Sequence, residues 1–237
     1  MYLSIIIPVY NEQDSIFEVL KLLNDVQFPE QVSDKEIIIV DDCSTDNSRQ
    51  VIADFIRESS GFRLIEHENN QGKGASVKTG IENSNGDVYL IQDADLELSP
   101  SDIPSLIIAM LETKVQFING SRYLPGVNRP LFAYRRYVAN QLFTNLTSLL
   151  INVKLTDVAC AYKLFTKDLY EQLSLNEKGF GFESELMIKA MRVKKNNIAE
   201  VPVKYFPRNQ GEGKKLRTID GFIILWVILK YGMLGIK

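Results

Sequence analysis

Apolar residues along this chain fall in short unbroken runs, and most runs are followed by a stretch with helical spacing. Runs of strand length stand at 3–9 (LSIIIPV), 36–41 (EIIIVD), 62–67 (FRLIEH), 87–92 (DVYLIQ) and 115–121 (VQFINGS). Helical spacing follows over 15–26, 46–58 and 73–83, and from Pro100 and Pro104 to about 112. Unbroken rather than alternating apolar strands belong to a sheet covered on both faces. Strand–helix alternation implies right-handed crossovers and a mostly parallel sheet. The expected fold class is therefore α/β, a mostly parallel central sheet flanked by helices. Ligands of such sheets bind at the carboxyl ends of the strands. The polar motifs fall at those ends: PVYNE after the first run, DDCSTD after the second, DADLE after the fourth.

The second half is less regular. One or two helices are expected over 132–152, a short strand at 163–166, a helix over 182–194 and a strand over 198–205. A polar, Gly-containing loop at 206–218 precedes a final helix. No repeat, low-complexity tract or linker interrupts the chain, so one catalytic domain is expected over 1–217. The remainder, 218–237, is expected to be an apolar helix, packed on the core or lying in a membrane interface.

Composition changes this picture little. The chain has 237 residues, 45% of them hydrophobic and 24% charged, enough for a packed enzyme core. A net charge of -3 carries no nucleic-acid footprint, so no nucleic-acid partner is expected. Two cysteines, Cys43 and Cys160, make no disulfide framework, and a reducing compartment is expected. The lone histidine, His67, is expected at the surface. The amino terminus opens directly on a strand pattern, so no secretory signal is expected. The most apolar stretch, 222–229 (FIILWVIL), falls well short of the ~20 residues that span a bilayer. Basic residues beside a Trp-containing apolar face suit an interfacial helix; the plainer reading is a core helix.

Three motifs carry candidate chemistry. Asp93, Asp95 and Glu97 stand at alternate positions just past a buried strand, where they can converge on one hard cation that bridges phosphates. Taken alone, such a pair of aspartates usually marks a solvated loop. Pro8, lacking an N–H, is expected to end the first strand. Beyond it Tyr10 can lie beside a base and Glu12 can accept from ribose hydroxyls, or Asn11 and Glu12 simply start a helix. Asp41 and Asp42 follow the second strand. An ionised Asp only accepts, so a base N–H suits either, Asp42 better; turn formation is the bland alternative. In NQGKGAS, 70–76, two glycines flank Lys73 before a helix, an arrangement open to anions but too irregular for a Walker loop.

Taken in order, PVYNE, DDCSTD, NQGKGAS, DADLE and GSRY resemble the family 2 glycosyltransferases of GT-A fold. LTDVACAYKLFT (155–166), GFGFESELMIKA (179–190) and PRNQGEGKKLRTIDG (207–221) narrow the resemblance to the dolichyl- and polyprenyl-phosphate sugar transferases. The mannose and glucose synthases are the nearest groups, and the similarity covers almost the whole chain. The resemblance implies a nucleotide pocket of Pro8, Tyr10, Glu12, Asp42, Lys73 and Asp93. It implies Mg or Mn held by Asp93, Asp95 and Glu97, although mannose synthases usually carry Gln at the last position. Arg122, Arg208 and one or both of Arg135 and Arg136 are implied to grip the acceptor phosphate. Ala161 departs from some relatives.

The expected reaction is inverting, metal-dependent transfer of a sugar from a UDP- or GDP-linked donor to a polyprenyl (dolichyl or undecaprenyl) phosphate. Asp93, Asp95, Arg122 and Asp157 are expected to carry it. An anionic acceptor requires no strong base, which would leave Asp157 an orienting role; a saccharide hydroxyl acceptor would make Asp157 the first candidate base. The basic loop with Lys204, Arg208, Lys214, Lys215 and Arg217, hinged at Gly211 and Gly213, is expected to cover phosphates beside an anionic membrane surface. The expected location is peripheral, on the cytoplasmic face of a membrane. Rival readings are a transferase to a saccharide hydroxyl in cell-surface polysaccharide synthesis, a sugar-1-phosphate nucleotidyltransferase and a non-catalytic nucleotide-binding domain. The nucleotidyltransferase would bring a Gly-rich amino-terminal loop that 7–15 lacks.

Overall fold

The computed structural model describes residues 1–126, 134–194, 197–208 and 218–233. Seven strands form one sheet: β1 (Tyr2–Val9), β2 (Asp34–Asp41), β3 (Phe62–Glu66), β4 (Val88–Ile91), β5 (Phe117–Ser121), β6 (Lys163–Thr166) and β7 (Ile198–Pro202). Their spatial order is β3-β2-β1-β4-β6-β5-β7. β6 runs antiparallel to β4 and β5, and every other pairing is parallel. The carboxyl ends of all strands but β6 therefore share one edge. The helices are α1 (Ile16–Asp25), α2 (Ser48–Glu58), α3 (Lys73–Glu82), α4 (Ile103–Thr113), α5 (Tyr134–Ile151), α6 (Lys167–Tyr170), α7 (Phe182–Lys194) and α8 (Thr218–Gly232). A 3-10 turn over Pro100–Asp102 leads into α4.

The unbroken apolar runs have a direct cause. Ile5, Ile7, Ile37, Ile39 and Leu90 face a layer containing Val19, Leu20 and Leu23 of α1 and Leu106 and Ile107 of α4. Ile6, Ile38, Val40 and Ile91 face the opposite layer, with Val77 and Ile81 of α3 and Leu186 and Met187 of α7. The middles of β1, β2 and β4 bury both faces, so apolar residues fill both alternate positions there.

Two sequence expectations are corrected here. Pro8 does not end β1, which runs on to Val9 in register with β2. The Ile6 carbonyl accepts from Gln92 N–H on the β4 side, and the Val9 carbonyl accepts from Asp42 N–H on the β2 side. Pro8 thus faces the β4 side, past the end of β4, where no ladder donor is needed. The last strand stops at Pro202 rather than 205; Val203 N–H still donates to the Ser121 carbonyl, and Tyr205 turns away into an isolated bridge with Leu98.

Helix α5 buries polar residues on one side and exposes apolar ones on another. Its buried side carries Asn140, Thr144 and Thr147, while Val138, Leu142 and Leu149 are exposed. The polar side serves the loop before β6: Asn140 Nδ2 donates to Asp157, Thr144 Oγ1 accepts from Val158 N–H, and Ser148 Oγ accepts from Leu155 N–H. Alongside it, α8 packs Ile224, Val227, Ile228 and Tyr231 against Ile188 of α7 and Phe143, Leu146 and Leu150 of α5. Its other side leaves Phe222, Ile223, Trp226 and Met233 exposed. Among the described residues no helix is long and apolar enough to cross a membrane.

Candidate active site

The shared strand edge brings the separated motifs together. After β1, the Asn11 N–H donates to Ser44 Oγ and Asn11 Oδ1 accepts from Thr45 N–H. Glu12 N–H donates to Ser48 Oγ. These bonds tie the loop carrying Tyr10 and Glu12 to the loop after β2, with Asn11 held at positive φ. Ser15 Oγ lies 2.8 Å from both Glu12 Oε2 and the Ala94 carbonyl, which joins this corner to the DADLE turn.

Asp41 and Asp42 are both buried. Asp41 Oδ2 accepts from Arg49 Nε and Ser44 N–H. Asp42 Oδ1 accepts from His67 Nδ1 and Gln71 N–H, each at 2.8 Å, and Oδ2 accepts from Gly72 N–H at 2.7 Å. His67 is therefore not a surface residue. It is buried because its two ring nitrogens are both used, the second against Thr79 Oγ1 at 2.9 Å.

The turn held by Asp42 launches α3. Gly72 has φ 95°, and a Cβ there would stand 2.7 Å from the Lys178 carbonyl oxygen. Next to it Lys73 Nζ lies 2.6 Å from Asp93 Oδ1 and 2.6 Å from Glu183 Oε1. Burial alone would lower the Lys73 pKa; the two carboxylates outweigh that and hold the amine charged. Glu183, on the first turn of α7, was missed by the sequence reading. Its signal was there, an acidic residue just after the GFGF turn, but nothing along the chain connects it to Lys73.

Asp93, Asp95 and Glu97 lie on one turn, with Leu96 at φ 58° and Glu97 N–H donating to Asp95 Oδ1. Burial, then the charges of Asp93 and Glu97, push the Asp95 carboxyl up to about 7. An all-oxygen, carboxylate donor set suits a hard divalent cation. The three groups do not form a ready cage: Asp93 meets Lys73, and Glu97 accepts from Tyr205 OH and Arg208 N–H. Among the described residues no group of three metal-ligating side chains is gathered closely enough to hold a metal.

Arg208 follows β7 and crosses this turn; its Nη1 lies 2.8 Å from Glu12 Oε2. Arg122, at the end of β5, meets Asp157 in a two-pronged pair, Nε–Oδ2 at 2.7 Å and Nη2–Oδ1 at 2.8 Å. The guanidinium sits 5.0 Å from the Tyr205 ring centre. Asp157 is fully buried and also accepts from Arg122 N–H and Asn140 Nδ2. Burial would raise its pKa; the Arg122 charge and hydrogen bonds prevail and hold it below the usual carboxylate range.

Tyr137 of α5 packs edge-on against Tyr123, rings 5.4 Å apart, so the start of α5 abuts Arg122. Arg135 there is exposed and Arg136 half-buried. Lys204 stands apart from this centre: its N–H donates to Asp102 Oδ2. Gly211, Gly213, Lys214, Lys215 and Arg217 lie outside the described residues.

Comparison with known proteins agrees with this arrangement. The chain is 30% identical over 238 residues to a dolichyl-phosphate beta-glucosyltransferase of Dictyostelium discoideum, covering 94% of this chain and 71% of the relative. It is 28% identical to a dolichyl-phosphate beta-glucosyltransferase of Trichomonas vaginalis, covering 94% and 70%. To a dolichol-phosphate mannosyltransferase of Pyrococcus furiosus it is 29% identical, covering 94% of this chain and 62% of that protein. The fold matches glucosyl-3-phosphoglycerate synthase from Mycobacterium tuberculosis, crystallised with Mn2+, UDP and glucosyl-3-phosphoglycerate, at TM-score 0.74 and 20% identity over 100% of this chain and 81% of that one. The fold is thus GT-A. The model of the family described as glycosyl transferase family 2 matches residues 4–174, spanning the strand edge with its acidic turn, Lys73 and the Arg122–Asp157 pair, and the chain belongs to that family of sugar-transferring enzymes.

Proposed function

We propose that the protein transfers a sugar from a UDP- or GDP-linked donor to a polyprenyl phosphate with inversion. The acceptor phosphate oxygen forms a bond to the anomeric carbon while the bond from that carbon to the donor diphosphate breaks. The electron pair leaves with the nucleoside diphosphate. The observation that carries the acceptor assignment is the state of Asp157. A buried carboxylate held ionised by Arg122, with donors on both oxygens, is a weak proton acceptor. A phosphate acceptor, already anionic near neutral pH, asks for no base. Asp157 acts as a positioning residue, holding Arg122 so that its guanidinium meets phosphate in a set geometry.

Pro8, Tyr10, Glu12, Asp42, Lys73 and Asp93 are the donor-nucleotide residues in this reading. Lys73 brings a fixed positive charge beside Asp93, where the diphosphate is expected. Asp93, Asp95 and Glu97 would hold a Mg or Mn ion, whose charge stabilises the departing diphosphate. Arg122, Arg135, Arg136 and Arg208 bind the acceptor phosphate.

A polyprenyl acceptor places the enzyme at a membrane surface, on its cytoplasmic face where nucleotide sugars are made. The exposed Val138, Leu142 and Leu149 of α5 and the outer side of α8 support this: soluble monomers rarely expose so many large apolar side chains on neighbouring helices. Helix α8 (Thr218–Gly232) serves in this reading as an interfacial helix following the catalytic domain.

The test is radiolabel transfer from UDP-glucose, UDP-GlcNAc, UDP-galactose and GDP-mannose, with Mn or Mg and a short polyprenyl phosphate, against Asp95→Ala. Metal-dependent label in the organic phase, absent with Asp95→Ala, is expected. Transfer only to saccharide hydroxyls would refute the acceptor assignment, and retained anomeric configuration would refute inversion.

A further inference from the structure

The only histidine in the chain sits where the donor-site loops meet. His67 follows β3, and its N–H continues the strand pairing by donating to the Asp41 carbonyl at 2.9 Å. Its ring joins Asp42, just past β2, to Thr79 on α3. An ionised Asp42 accepts only, so Nδ1 of His67 carries the hydrogen in this contact. The same Asp42 carboxylate takes the amides of Gln71 and Gly72, and Asn70 Nδ2 donates to its backbone carbonyl. From the other side the Lys178 carbonyl closes on Gly72 and accepts from Ala75 N–H at 3.0 Å. The next side chain along is Lys73, already bridging Asp93 and Glu183.

We propose that His67 is a positioning residue of the donor site. It fixes the rotation of the Asp42 carboxylate, which sets both the face Asp42 offers to a nucleotide base and the turn that aims Lys73. The inference rests on the reading of Asp42 and Lys73 as donor-binding groups. Its physical basis is the short lever. A carboxylate can rotate about its last torsion, a broad terminal one, and the two amides that hold Asp42 both belong to a single loop. A ring nitrogen locked at its far end by Thr79 removes that freedom. Two amides on Asp42 then fix a backbone segment already confined by Gly72 at positive φ.

The test compares wild type with His67→Asn and His67→Gln. The Asn amide nitrogen overlays Nδ1, keeping the Asp42 contact; the Gln amide nitrogen overlays Nε2, keeping Thr79 and losing Asp42. Two readouts are taken: hydrogen exchange at the Gln71 and Gly72 amides without ligand, and the dissociation constants of UDP and GDP with Mn2+. In His67→Gln, losing one hydrogen bond to a charged group is expected to speed exchange and weaken the preferred nucleotide by about tenfold each. His67→Asn is expected to restore both to within about threefold of wild type. 15N-labelled histidine, giving one ring in the whole protein, should show Nδ1 protonated.

Unchanged exchange in His67→Gln, equal losses in both variants, or an unprotonated Nδ1 would overturn the proposal. A wild type that binds neither nucleotide would instead refute the donor-site reading, and the amide exchange would still decide whether His67 holds the turn.

Discussion

Replacing Asp157 by Asn tests the pair at the centre of the acceptor assignment. The side chain is fully buried, and its two oxygens accept four donors, three of them from Arg122. Asn keeps the shape, removes the charge and turns one acceptor into an NH2 group facing donors. Removing one partner of a buried pair strands the other charge and costs about 3–5 kcal/mol. A domain of this size loses about 2–4 °C of Tm per kcal/mol, so a fall of roughly 6–20 °C is expected. The pH dependence carries a second signature. The folded Asp157 pKa is lowered, so its contribution is present above the unfolded value of about 3.9 and is lost as pH falls through the folded value. Melts from pH 7 to pH 3 should show a constant gap between wild type and Asp157→Asn down to about pH 4, beginning to narrow only below it. In turnover, KM for the polyprenyl phosphate should rise while the nucleotide dissociation constant stays within about threefold, because Arg122 and not the donor pocket is disturbed. A melt within 2 °C of wild type, or a loss confined to nucleotide binding, would refute the reasoning.

Further expectations rest on single features. Trp226, the only tryptophan, is 60% exposed on the outer side of α8, so its emission should shift to the blue on anionic vesicles if this side enters a membrane interface; an unchanged spectrum with no co-sedimentation would refute membrane contact there. At Gly74 a Cβ would stand 2.7 Å from the Glu177 carbonyl oxygen and 2.8 Å from Phe182 Cβ, so Gly74→Ala should cost about 1–3 kcal/mol in denaturant unfolding and weaken nucleotide binding through the adjacent Lys73. Burial pushes the Cys160 thiol up to about 12, so iodoacetamide at pH 8 should modify Cys43 and leave Cys160 intact until the protein unfolds, as peptide mass mapping would report.

Much of this protein was legible along the chain because two short-range rules governed it. Strands buried on both faces must be apolar throughout, so 3–9, 36–41 and 87–92 announced themselves as a covered parallel sheet. Parallel strands must end at one edge, so PVYNE, DDCSTD and DADLE had to meet. The antiparallel β6 and the partnership of Lys73 with Glu183 were not legible. They depend on which strand fills the gap between β4 and β5, and on how α7 returns to α3, choices set by long-range packing. Helix α5 was legible as a helix, but not the burial of Asn140, Thr144 and Thr147 against the Asp157 loop while Val138, Leu142 and Leu149 stay exposed. His67 and Pro8 make the point most locally. A lone histidine reads as a surface residue until Asp42 and Thr79 close on it from two different elements. A proline reads as a strand end until β4 proves to stop two residues short of it. Residue type and spacing determined which chemistry this chain carries. Only the tertiary structure decided which charges face each other, because a burial cost is met by whichever partner the packing brings near.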